Sequence, residues 1–92
     1  MNNKYLPIGS VVLLEGGLKK VMITGYHVCT EDRPDRIFDY RGCPFPEGIA
    51  RSEGAALFNA SQIKEVCHEG WKCDESLDFL DKLDYLIETS KK

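Results

Sequence analysis

The sequence predicts a mainly β (α+β) domain: a small curled antiparallel sheet or SH3-like barrel, followed by a C-terminal amphipathic α-helix. Three observations lead there. Short apolar runs separated by glycine- and proline-rich turns continue to about residue 72. Gly25 falls inside one of these runs, where glycine marks a bulge or bend that lets a small sheet curl. From Asp74 onward the apolar spacing becomes helical. Ninety-two residues without an internal repeat or linker make one domain, β-rich over about 5–72 and helical over about 74–90.

Val11–Leu14 is an apolar block between Gly9-Ser10 and Gly16-Gly17, as expected of a strand covered on both faces. Pro7 precedes it, where a missing N–H does little harm. Gly16 and Gly17 are expected to supply the positive φ values of a hairpin turn. In the next run, strict alternation puts Val21, Ile23, Gly25, His27 and Cys29 on one face. Met22, Thr24, Tyr26 and Val28 then fall on the other. The charged stretch TEDRPDR, with Pro34 inside it, reads as a solvated loop. A third strand begins at Ile37, with Phe38 and Tyr40 on one face.

It leads into DYRGCPFPEG, residues 39–48. There Gly42 is expected to permit a bend, and Pro44 and Pro46 to hold the chain extended with Phe45 displayed between them. Cys43 reads as a small apolar plug, and IARSEGA as a turn-rich connection. Ala56–Phe58 then forms a short strand, Asn59 caps a single helical turn, and Ile63, Val66 and Cys67 return to the sheet. In the C-terminal segment a helical wheel gathers Phe79, Leu80, Leu83, Leu86 and Ile87, with Leu77 at the edge; this stripe is expected to pack across the open side of the sheet, with binding a partner as the alternative. Asp74 or Ser76 can cap its start, and Lys91 and Lys92 suit its end.

Twelve basic and fifteen acidic residues give a net charge of −3. Residues 65–92 carry eight of the acids and four of the bases. A net negative chain without a basic stripe argues against nucleic acid. No apolar run reaches the length of a membrane span, and the first ten residues lack a signal-peptide core, so a cytoplasmic location is expected.

Cys29, Cys43, Cys67 and Cys73 lack the close pairing of a zinc site, and His27 and His68 do not supply it. Reduced packing thiols are the expectation, with neither metal nor cofactor. Cys67 and His68 adjoin in a strand and point to opposite faces, while Cys29 with His68 has no nucleophile elbow or oxyanion hole to serve it. Gly16-Gly17 with Lys19-Lys20 is too short for a phosphate loop. Asp78, Asp81, Asp84 and Glu88 make an acidic helix face, a solvated surface or a strip for a basic partner. No enzymatic activity is expected from these residues.

Taken in order, YLPIGSVVLLEGG, KKVMITG, DYRGCPFPEG, the spaced LFN, I, V and GW, and an acidic C-terminal helix resemble the domain of unknown function 4176 family of small Gram-positive bacterial proteins. The resemblance spans Tyr5 to Ile87; CTEDRPDR, Cys67 and Cys73 lie outside its words. It implies an accessory role beside LXG toxins and type VII secretion: an adaptor, chaperone or targeting factor, with an immunity-type protein as the alternative. The implied partner is the toxin or another secretion accessory protein. It supplies no catalytic residues. A homo-oligomer using Tyr26, Phe45 or Tyr85, and a small metal or redox protein using the four thiols, are the rival readings. The expected partner-binding residues are Phe45, Pro44, Pro46, Tyr85, Asp78 and Asp81.

Overall fold

The computed structural model describes residues 5–49 and 55–90, with side chains through Ile87. Strands β1 (Val11–Leu14), β2 (Lys20–Thr30), β3 (Arg33–Pro44), β4 (Ala56–Phe58) and β5 (Ile63–His68) precede helix α1 (Asp74–Ser90). All ladders are antiparallel, in the order β4-β3-β2-β1-β5. The outer strands β4 and β5 are joined by a single helical turn, Ala60–Gln62. Laid flat, five strands would separate their outer members by about 19 Å. A three-residue 3₁₀ turn rises only about 6 Å. The sheet therefore curls until its edges approach, although no ladder joins β4 to β5 among the described residues.

Inside the curl lie Tyr5, Val12, Val21, Ile23, Tyr40 and Phe58, closed over by Leu80 and Ile87 of α1. The fold is thus the mainly β, α+β curled sheet with a C-terminal helix that the sequence predicts.

The bend falls where glycine marks it. Ile23 pairs with Gly42 but Gly25 pairs with Arg41, so β2 carries one extra residue at Thr24. A bulge of one residue reverses the alternation beyond it. Val21 and Ile23 face the core before the bulge, and Tyr26 packs against it afterwards. Strict alternation, which sets Tyr26 on the opposite face from Ile23, fails at this point.

Gly42 is needed for close approach. A Cβ there would lie 2.5 Å from Val21 Cγ1 and 2.8 Å from the Met22 carbonyl oxygen. In the β1–β2 connection only Gly16 has positive φ, at 76°. It occupies the third position of a turn closed by the Gly17 N–H on the Leu14 carbonyl (3.0 Å), where a type II turn requires it. Gly17 does not share that role.

Two further expectations are corrected. TEDRPDR is not a loop: β2 and β3 run on as an exposed ribbon, and only Glu31 and Asp32 turn between them. The ribbon pairs at Val28↔Phe38 and again at its tip, Thr30↔Arg33, with an irregular stretch between, where Arg36 lies 5.8 Å over the Phe38 ring. Nor is the chain extended after Pro44. Phe45–Glu47 turn, the Phe45–Pro46 bond is cis, and the Gly48 N–H donates to the Pro44 carbonyl (2.7 Å) with Gly48 at φ 81°. Most of the predicted IARSEGA connection, residues 50–54, lies outside the described residues, as do Lys91 and Lys92.

Candidate functional site

The residues just before β1 form a lock. The Leu6 N–H donates to the Tyr40 hydroxyl (2.9 Å), and the Tyr26 hydroxyl donates to the Leu6 carbonyl. Tyr5 sets its ring edge-on to both, with centroids 5.6 Å from Tyr26 and 5.7 Å from Tyr40. Tyr40 in turn stacks on Phe58 at 5.3 Å. Burial, with Tyr40 close by, pushes the Tyr26 phenol up to about 12. Burial also raises Tyr5 and Tyr40, the latter against the opposing pull of its Leu6 hydrogen bond.

A second clasp follows. The fully buried Ser10 accepts the Gly70 N–H on its Oγ at 2.9 Å. A Cβ on Gly70 would lie 2.2 Å from the Ile8 carbonyl oxygen, so only glycine fits. Buried polar groups paired in this way fix one arrangement of the backbone. The words YLPIGS and GW are thus the two halves of one structural clasp.

The clasp sets its neighbours outward. Ile8 is 50% exposed and Trp71 is 80% exposed. Opposite them stands Phe79 of α1, 53% exposed, its ring 6.1 Å from Tyr26. Together with Tyr26, Cys73 and Leu80 they line an open groove of about 510 Å³, bordered by Glu75 and Ser76. The Ser76 hydroxyl is committed to the helix start: it accepts the Cys73 N–H and donates to the Cys73 carbonyl, both at 3.0 Å. The groove is therefore an apolar cleft with an acidic side chain on its border. Such a surface binds by burying apolar area, with large exposed aromatics as its natural anchors.

The helix explains why the groove stands open. Leu80 and Ile87 are buried and Leu77 and Leu83 half-buried. Phe79 and Leu86, assigned to the inward stripe by the wheel, are 53% and 61% exposed. They stand at the edge of the stripe, because α1 meets the curved sheet along a narrow line. Beyond Leu86, the outer face shows Tyr85, Asp78 and Asp81.

The six expected partner-binding residues therefore fall in two places. Tyr85, Asp78 and Asp81 are exposed on α1. Pro44, Phe45 and Pro46 occupy the turn after β3, with Pro44 half-buried and Phe45 40% exposed. The Phe45 N–H there bonds the Lys20 carbonyl (3.0 Å), and Lys19 Nζ lies 2.7 Å from Glu47 Oε2, which holds the Glu47 carboxyl below its usual range. Tyr26, an oligomer contact in one rival reading, is half-buried and its hydroxyl is engaged.

Ile8, Trp71 and Phe79 are the groove residues that sequence reasoning missed. The one available signal was the single tryptophan next to a glycine. The thiols lie in separate elements, and the packing-thiol expectation holds for Cys43 alone: Cys43 is buried in β3, whereas Cys29 in β2 and Cys67 in β5 are exposed and Cys73 before α1 is half-buried. Among the described residues, no three Cys, His, Asp or Glu side chains gather as a metal site, and no helix is long and apolar enough to cross a membrane.

Fold and groove together define a small curled-sheet domain with an apolar cleft between sheet and helix. The chain belongs to the family described as Domain of unknown function (DUF4176), whose model matches residues 5–79, from the tyrosine lock to the groove's phenylalanine. No curated protein and no solved structure matches the chain.

Proposed function

We propose that the protein is a non-enzymatic protein–protein interaction module, an accessory adaptor, chaperone or targeting factor for an LXG-type toxin of type VII secretion, acting in the cytoplasm. One observation carries the binding half of this reading: the open apolar groove flanked by Trp71, Phe79 and Ile8. Exposed aromatics held by a rigid clasp lose little entropy on docking, which favours binding. The toxin half rests on the resemblance of YLPIGSVV and GCPFPEG to the family's words. The Pro44–Pro46 turn offers a second, smaller contact through Phe45.

The test is co-expression with the products of the neighbouring genes, an LXG-type toxin being the expected binder among them. The expected result is a complex that survives purification and titrates at micromolar concentration. Failure of any neighbouring gene product to bind in that range contradicts the proposal.

A further inference from the structure

The groove's geometry and charge narrow the chemistry of its occupant, given the interaction-module reading above. Phe79 and Leu86 stand seven residues apart on α1, both more than half exposed. Seven residues of helix rise about 10.5 Å. An apolar strip of that length matches the anchors of a second helix lying alongside, at its positions i, i+3 or i+4, and i+7.

An extended segment is less well served. The neighbouring strand β2 pairs with β1 from Lys20 to Met22 and bonds Gly9 and Ser10 through Ile23, so among the described residues its ladder on that side stops before Thr24. β3 keeps its register past His27 despite that residue's φ of 53°, but of β2 only Tyr26 lines the groove, so a strand added along that edge would cover little of it.

Charge supplies the second constraint. From Glu69 to Ile87 the chain carries six acidic and two basic side chains, a net −4. One of the two bases, Lys72, lies 3.1 Å from Glu69 Oε1 and is already compensated. Glu75 borders the groove and Asp78 is exposed one step further round α1, with Lys82 between them, while Asp74 and Asp81 are exposed on the far side and add to the negative field. An apolar strip with an acidic flank complements an apolar strip with a basic one, and repels a second copy of the same ridge.

We infer that the groove between Trp71 and Phe79 receives an amphipathic α-helix of the partner, with apolar anchors on one face and Lys or Arg along their flanks. The single tryptophan of the chain lies at the site and reports on it directly. The probe is a short helical peptide with leucine at i, i+3, i+4 and i+7 and lysine elsewhere, compared with its glutamate counterpart. The lysine peptide is expected to shift Trp71 emission to the blue saturably and to bind about tenfold more tightly than the glutamate peptide, a preference that shrinks as salt rises. Phe79→Asp is expected to weaken the lysine peptide about tenfold. The surface variant Glu75→Lys/Asp78→Lys, which leaves the apolar lining intact, is expected to erase the preference.

Equal binding of the two peptides, or no binding of either, overturns the inference. So does a blue shift that appears with protein concentration alone together with a dimeric mass, which makes a second copy the occupant. If the co-expressed toxin still binds the Phe79→Asp protein unchanged, the interaction-module reading stands and the groove is removed from it.

Discussion

Gly70 and Trp71 are adjacent in the chain and opposite in use. Gly70 is buried in a clasp where its N–H meets the Ser10 hydroxyl and its Cα leaves no room for another carbon. Trp71 is 80% exposed on the groove that the clasp creates. Adjacent positions here serve two different ends. YLPIGS and the glycine of GW specify backbone geometry, whereas the tryptophan and Phe79 are large apolar side chains left in water. The fold hides Tyr40 and Phe58 almost completely while exposing Trp71, a contrast that supports the binding surface proposed above.

Breaking the clasp should cost most. Gly70→Ala forces a methyl into the Ile8 carbonyl, backbone against backbone, and is expected to destabilise the fold by about 3 kcal/mol or more. For a domain this small that lowers Tm by more than about 10 °C, measurable by thermal denaturation.

The tyrosine lock comes next. Tyr40→Phe leaves the Leu6 N–H without its acceptor and is expected to cost about 1–2 kcal/mol in chemical denaturation. The same lock sets an alkaline limit. The folded-state value for Tyr26, about 12, lies above the ordinary phenol value of about 10. Its contribution to stability is therefore fully present below about pH 10 and lost as pH rises toward 12. Phenolate absorbance followed beside unfolding should show the Tyr26→Phe protein losing less stability across that window.

On the groove side the effects on stability should be smallest and the effects on binding largest. Trp71→Ala is expected to change stability by less than about 0.5 kcal/mol, as for an exposed surface residue. It should still weaken partner binding about tenfold, as loss of an aromatic anchor does. Phe45→Ala sharpens the comparison from the other end of the sheet: it should leave stability nearly unchanged and weaken the partner less than about threefold if the turn is a secondary contact.

How much of this the sequence shows depends on what decides each feature. The strands before the bulge and the span of α1 follow from apolar spacing, and both are read correctly. The Thr24 bulge is signalled only by Gly25, so its position is legible but the face reversal that brings Tyr26 to the core is not. The outer β2–β3 ribbon pairs irregularly down to Thr30↔Arg33 through a charged stretch without apolar alternation, so nothing in its spacing signals a strand. Asn59 stands at the N-cap of the helical turn, as its residue type predicts, yet its Oδ1 accepts the Asp39 N–H (3.0 Å), and Asp39 itself accepts the Ala60 N–H (2.8 Å). That exchange between distant residues has no local signature. The groove is hidden for a related reason. A helical wheel gives the direction of the apolar stripe, but its buried width depends on the curvature of the sheet beneath. Phe79 and Leu86 fall outside that width by a fraction of a turn. Trp71 is outward only because Gly70 is pinned from sixty residues away by Ser10.

The most direct test is a calorimetric titration of whichever protein the co-expression experiment captures into three proteins: the unaltered chain, Phe79→Asp and Phe45→Ala. The groove account predicts a loss of about tenfold or more for Phe79→Asp and little change for Phe45→Ala, with all three equally folded. Unchanged affinity for folded Phe79→Asp, or a larger loss for Phe45→Ala, would contradict it.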